Sequence, residues 1–194
     1  MNNSVPSQAD NRRLKGAMAE VYEWLEAVAF ALAIVVLLFT FIFRIVSVSG
    51  DSMLPTLQDA NRVLVSCLFY TPKENDIVII VNPEDAEYNK PLVKRVIATG
   101  GQYIQIVDGV AYVDGDPKVI PGLESILNAG NAFDFTEPVF VPEGYVFVMG
   151  DNRNNSLDSR DARIGLVDVN RIIGKVQFRI YPFDKFGKVG MPND

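Results

Sequence analysis

The chain contains no histidine, so a hydroxyl that must lose its proton near neutral pH needs another base, and a desolvated lysine is the recurrent substitute. Two residues fit that chemistry. Ser52 lies in the run Gly50-Asp51-Ser52-Met53-Leu54-Pro55-Thr56, and Lys94 interrupts the apolar run Leu92-Val93-Lys94-Arg95-Val96-Ile97-Ala98. A strand period of two puts Lys94 on the face of Leu92, Val96 and Ala98, and Arg95 on the opposite face with Val93 and Ile97. Apolar neighbours strip hydration from the charged amine, lower its pKa and leave a neutral nitrogen able to take a proton from serine. Arginine does not serve, because its guanidinium stays protonated. Each residue alone has a plainer reading: a turn serine beside proline, and a strand lysine whose stem carries its charge to water. A third stretch, Gly150-Asp151-Asn152-Arg153-Asn154-Asn155-Ser156-Leu157-Asp158-Ser159-Arg160, follows a strongly apolar run. It is either a solvated turn or a set of hydrogen-bonding groups that orient a catalytic pair.

These residues need elements to hold them. At 194 residues the chain suffices for one principal domain plus a membrane segment. Eighteen Lys and Arg against 24 Asp and Glu leave a net charge of −6, which argues against a nucleic-acid partner, since such a surface needs a basic stripe. Cys67 is the only cysteine. No intramolecular disulfide and no zinc site of the usual ligand sets can therefore form.

From Ala27 to Phe43 the chain carries no charge and is almost entirely Ala, Val, Ile, Leu and Phe, closed by Glu26 and Arg44. These 17 residues would cover roughly 26 Å as a helix, and Trp24 and Leu25 can extend it toward the roughly 30 Å hydrocarbon core. Arg12, Arg13 and Lys15 precede the span and favour a cytoplasmic N-terminus with the C-terminal domain outside. A cleavable signal sequence is the competing reading, because Ser47-Val48-Ser49 supplies small residues. The apolar run, however, exceeds the 7 to 15 residues of such segments. Ser52 lies eight residues past Arg44, so an extended linker keeps it within about 27 Å of the membrane edge.

Residues 1 to about 20 read as a polar, mobile tail. Beyond Val46, short apolar runs are broken by Gly, Pro, Asn and Asp. Strands are expected at 62–67, 77–81, 92–98, 103–107, 110–113, 139–141, 145–149 and 173–180, which suggests an antiparallel sandwich or barrel-like domain. Asp108-Gly109 is a hairpin turn signal. Asp114-Gly115-Asp116 is another turn, because the remaining ligand positions of a calcium loop are missing. The stretch from about Gly122 to Glu137 reads as irregular structure on an inserted subregion.

Taken together, these runs resemble the type I signal peptidases of bacteria, serine/lysine enzymes that remove signal peptides from exported preproteins. The resemblance rests on the single anchor with Gly50 to Leu57, on Asp76-Ile77-Val78, on Lys94-Arg95-Val96, on the loop Gly150 to Arg160 and on Phe178-Arg179-Ile180-Tyr181-Pro182-Phe183. Compact size and one anchor resemble the Gram-positive branch.

The resemblance implies a mainly β fold: a transmembrane helix over 24–45 after a cytoplasmic tail 1–23, a catalytic β domain of 46–102 and 139–194, and an inserted subdomain at 103–138. It implies Ser52 as nucleophile, Lys94 as general base and Ser156 as the hydroxyl that orients the amine. Asp151 would pair with Arg95 and Asp158 with Arg160, with Gly150 and Asn152 in the same supporting loop. Gly50, Asp51, Met53 and Pro55 would border the substrate, and the Ser52 N–H would stabilise the oxyanion. The partners implied are signal peptides of secreted preproteins, cut after Ala-x-Ala, and the lipid of the plasma membrane. No metal or organic cofactor is implied. Two positions depart from relatives: Gly50 replaces a serine that some use in the oxyanion hole, and Asn75 replaces a common glycine but tolerates a left-handed turn.

Rival readings are a self-cleaving serine/lysine repressor, disfavoured by the anchor, a secreted domain released near Ser49, and a membrane-tethered, non-catalytic β-domain that binds export partners. Ser52→Ala would leave the function of the last intact, while fractionation and an N-terminal mass measurement would reveal the released domain.

Overall fold

A computed structural model describes residues 8–68, 70–81, 91–118 and 134–190, with side chains from residue 18 onward. Helix α1 spans Gln8–Phe41. Within it Met18–Phe41, with a mean hydropathy of 2.4, is the one segment among the described residues long and apolar enough to cross a membrane. The helix starts well inside the stretch expected to be a mobile tail, because Ala, Arg, Leu, Lys, Met and Glu there are strong helix formers despite their polarity. The side chains of Arg12, Arg13 and Lys15 lie outside the described residues.

The helix ends two residues before the apolar run does. Phe43–Ser47 forms strand β1 instead and pairs antiparallel with β2, Arg62–Ser66. An aromatic and β-branched sequence reads as more span until a partner strand is available. The compact β unit accordingly begins at Phe43. Val48, at the centre of the proposed small-residue cleavage stretch, is buried, and its backbone bonds both Asn61 and Ala60.

The remaining strands are β3 Ile77–Ile80, β4 Leu92–Thr99, β5 Tyr103–Val107, β6 Val110–Val113, β7 Asp116–Pro117, β8 Phe135–Phe140, β9 Tyr145–Met149, β10 Val167–Asp168, β11 Ile172–Tyr181 and β12 Gly187–Lys188. One antiparallel sheet runs β1-β2-β11-β3-β4-β9-β10, with β12 also on β11, and a second runs β7-β6-β5-β8. The expected all-antiparallel, β-rich architecture is thus present. Strand β8 begins at Phe135, inside the stretch expected to be irregular; the rest of that stretch, up to residue 133, lies outside the described residues. Asp108 and Gly109 both have positive φ, 51° and 77°, the left-handed pair that a two-residue hairpin requires. Asp114 and Gly115 repeat that geometry, and the Asp114 carboxylate caps the Tyr103 N–H at 2.8 Å.

Three apolar clusters fill the β unit. Met53, Leu57, Val63, Val65, Ile77, Ile79 and Val93 belong to the first, Ile97, Ile104, Ile106 and Phe147 to the second, and Val78, Val96 and Val148 to the third. Register in β4 follows the period of two up to Val96, with Lys94 opposite Val78 and Arg95 opposite Ile77. An irregularity between Val96 and Ala98 then resets it. Ala98 consequently packs in the second cluster with Ile97 rather than on the Lys94 face, because a bulged residue breaks strict alternation.

Candidate active site

Strand β4 is buried along six of its eight residues, so Lys94 is carried into the interior with 2 % of its surface exposed. Ser52 arrives from the other side on a turn between β1 and β2. The turn is closed by Leu54 N–H to Asp51 O and Leu57 N–H to Met53 O, and is pinned to the core by Met53 and Leu57, both fully buried. Met53 thus anchors the turn from beneath, whereas Asp51 and Pro55 are exposed at its surface. Gly50 enters it at φ 82°, in the left-handed region that favours glycine, and its N–H donates to Asp59 at 2.8 Å. Lys94 Nζ donates to Ser52 Oγ at 2.9 Å. Among the described residues the Ser52 N–H has no acceptor.

Burial pushes the Lys94 amine down from 10.5 to about 8, the Asp158 carboxylate pulls it back up, the Arg160 guanidinium lowers it and Asp151 raises it. At that value a useful fraction is neutral near pH 7. The lysine is therefore a competent proton acceptor at hydrogen-bond distance from a hydroxyl.

The loop after β9 locks the turn in place. The Asn152 N–H donates to the Ser52 carbonyl at 2.9 Å and its side-chain amide to the Asp51 carbonyl at 3.1 Å. Gly150 permits this approach: a Cβ there would lie 2.5 Å from the Ser52 carbonyl oxygen and inside the Ser156 side chain. Arg95, on the far face of β4, holds Asp151 through Nε and Nη2, each at 2.7 Å, with neither side chain exposed. Its Nη1 donates to the Asn75 carbonyl at 2.9 Å. Asn75 presents that carbonyl at φ 68°, the left-handed turn expected of asparagine. Asp158 accepts from Arg160 Nε at 2.8 Å and Nη2 at 2.9 Å and from the Gly150 N–H at 2.9 Å. Burial opposes ionisation of Asp158, but the Arg160 hydrogen bonds and charge together with the Gly150 N–H prevail and hold it below the usual carboxylate value.

Ser156 differs from expectation. Its Oγ is buried beside Asp158 and Gly150 without a hydrogen bond of good geometry, and the bond to Lys94 is not formed. The amine already donates to Ser52, and the Ser156 side chain fills the space that a side chain on Gly150 would take. Sequence reasoning also passed over groups that complete the site: the Thr56 hydroxyl, 2.5 Å from Asp151, the Gly190 carbonyl, 3.2 Å from Arg95 Nη2, and Arg179, whose Nη1 donates to the Thr56 carbonyl at 3.0 Å. Thr56 stood in the nucleophile run with a free hydroxyl as its signal. Gly190 contributes only backbone and left none.

The signal peptidase model of peptidase family S26 matches residues 21–181. Signal peptidase I of Bacillus licheniformis is 38% identical over 177 residues, 87% of this chain and 92% of that protein. Signal peptidase I T of Bacillus subtilis is 38% identical over 172 residues, 84% of this chain and 86% of that protein. A crystal structure of a signal peptidase I from Enterococcus faecalis aligns with a TM-score of 0.43 at 27% identity, over 55% of this chain and 97% of that one. By the family model and the two Bacillus relatives, the chain belongs to the signal peptidases of family S26, and it is a hydrolase of signal peptidase I type, whose work is the removal of signal peptides.

Proposed function

We propose that Ser52 is the nucleophile and Lys94 the general base of this peptidase. The observation that carries the reading is the 2.9 Å approach of a buried amine to a hydroxyl from a distant turn. Neutral Lys94 takes the Ser52 proton as Oγ bonds to the scissile carbonyl carbon. The resulting ammonium then protonates the leaving amine nitrogen, and an ester to Ser52 remains. Water attacks that ester and gives a proton to Lys94, which returns it to Ser52 Oγ as the acyl C–O bond breaks, regenerating the hydroxyl and the neutral amine. The unengaged Ser52 N–H is a donor for the developing oxyanion. Asp151, Arg95, Asn152 and Gly150 fix the turn, while Asp158 and Arg160 set the potential at the amine.

Substrates are exported preproteins cut after small residues, with Ala-x-Ala preferred, a specificity that the likeness to signal peptidase I supports. Met18–Phe41 anchors the enzyme in the plasma membrane with its N-terminus cytoplasmic and its β unit outside. The exposed apolar residues Ile45, Phe178, Phe183 and Phe186 suit contact with lipid. Residues 46–102 and 139–194 form the catalytic region and 103–138 the insert, a division supported by the separate sheet β5 to β8.

The test is processing of a preprotein by the full chain in detergent. The wild type cuts after the Ala-x-Ala sequence, whereas Ser52→Ala and Lys94→Arg remain folded and leave the preprotein intact. Substantial cleavage by Lys94→Arg refutes the lysine base.

A further inference from the structure

Arg179 lies on β11 between two irregularities, one separating Val176 from Phe178 and the other Arg179 from Tyr181 in the pairing with β2. Bulges of this kind re-aim side chains and recur beside active sites. Here the re-aimed guanidinium joins two segments distant in sequence. Its Nε donates to the Lys185 carbonyl at 2.7 Å, closing the tip that carries Phe183 and Phe186, and its Nη1 donates to the Thr56 carbonyl at 3.0 Å. The Thr56 hydroxyl, in turn, donates to Asp151 Oδ2 at 2.5 Å. Asp151 is the carboxylate that Arg95 grips, and its neighbour Asn152 holds the Ser52 carbonyl.

We propose that Thr56 and Arg179 are positioning residues of the peptidase, forming a relay from the Pro182–Phe186 tip through Arg179 and Thr56 to Asp151 and the Ser52 turn; the inference rests on the Ser52/Lys94 reading. Neither residue contacts the reacting atoms. Thr56 lies on the nucleophile turn and Asp151 on the loop after β9, so their hydrogen bond ties the nucleophile's segment to the buried ion pair behind the base. Arg179 keeps Thr56 in register by holding its carbonyl. The tip is the outermost member: Phe183 is 81% and Phe186 64% exposed, and its backbone enters the relay only at the Lys185 carbonyl.

The experiment compares Thr56→Val, Thr56→Ser, Arg179→Gln and the double variant Thr56→Val/Arg179→Gln as full chains in detergent, with Ser52→Ala as control. Processing is followed as kcat and KM across pH, and folding by thermal melting. Thr56→Val, close in shape but without the hydroxyl, is expected to lower kcat about ten- to hundredfold, because a small misplacement of the Ser52 turn costs rate even where the fold survives. Its KM should stay within about twofold and its pH inflection should not move. Thr56→Ser, which restores the hydroxyl, should recover kcat to within about threefold. Arg179→Gln should lower kcat less than Thr56→Val, and the double variant should fall no more than about threefold below Thr56→Val, because members of one relay do not add.

The relay is overturned if Thr56→Ser is as impaired as Thr56→Val, if the losses appear in KM alone or follow the melting temperature, if the two losses multiply, or if neither variant changes kcat while Ser52→Ala is inactive. Activity persisting in Ser52→Ala instead sinks the nucleophile assignment, a separate failure.

Discussion

Raising the pH from 6 to 9 acts directly on Lys94, because its amine has been pushed down from 10.5 to about 8, first by burial. If that amine is the base in the free enzyme, kcat/KM follows its neutral fraction. The fraction is about 1% at pH 6, about 9% at pH 7, one half at pH 8 and about 90% at pH 9. Activity should therefore climb about tenfold per pH unit up to pH 7, bend near 8 and level off, a rise of about ninetyfold in all. The assay is the initial rate of preprotein cleavage by the full chain in detergent, at fixed ionic strength and substrate well below KM.

Stability gives an independent reading of the same group. The unfolded chain holds its proton up to about 10.5, so between pH 8 and 10.5 it binds more protons than the folded protein, and stability rises with pH through that window. The fall to about 8 corresponds to about 3 kcal/mol in full, so Lys94→Met should melt higher than wild type at pH 7 and lose the rise above pH 8. A cleavage profile that is flat from pH 6 to 9, or one that bends below pH 6, refutes the neutral-amine step.

Asp158→Asn removes the carboxylate that holds the Lys94 proton on and keeps an acceptor for the Gly150 N–H, so the bend should move to lower pH; a bend displaced upward contradicts the assignment of charges. Gly150→Ala forces a methyl group against the Ser52 carbonyl and Ser156, and is expected to lower kcat by at least about a hundredfold in the processing assay. Replacing Arg95 by Met strands the Asp151 carboxylate in the interior and should cost about 3–5 kcal/mol in denaturant unfolding of the full chain, whereas Arg95→Met/Asp151→Leu should recover much of that loss.

Much of this enzyme is legible wherever physical chemistry acts over a few residues. Met18–Phe41 is apolar by composition, the hairpin at Asp108-Gly109 follows from which residues tolerate positive φ, and a period of two is enough to send Lys94 and Arg95 to opposite faces of β4. The absence of histidine by itself narrows the choice of base. What depends on a distant partner is not legible in that way. Phe43 is the last residue of the apolar run, yet it joins Arg44 to Ser47 in a strand because β2 is there to pair with it; Ala98 changes sides only because β9 runs against a bulge. The 2.9 Å between Ser52 and Lys94 spans 42 positions, and the Arg179 contact with Thr56 spans 123. Local propensity carries no information about contacts at such separations, since they arise when sheet register and core packing close the β unit. Tertiary structure alone turned a turn serine and a strand lysine into neighbours, and it left the Ser156 hydroxyl beside them without the bond that the motif suggested.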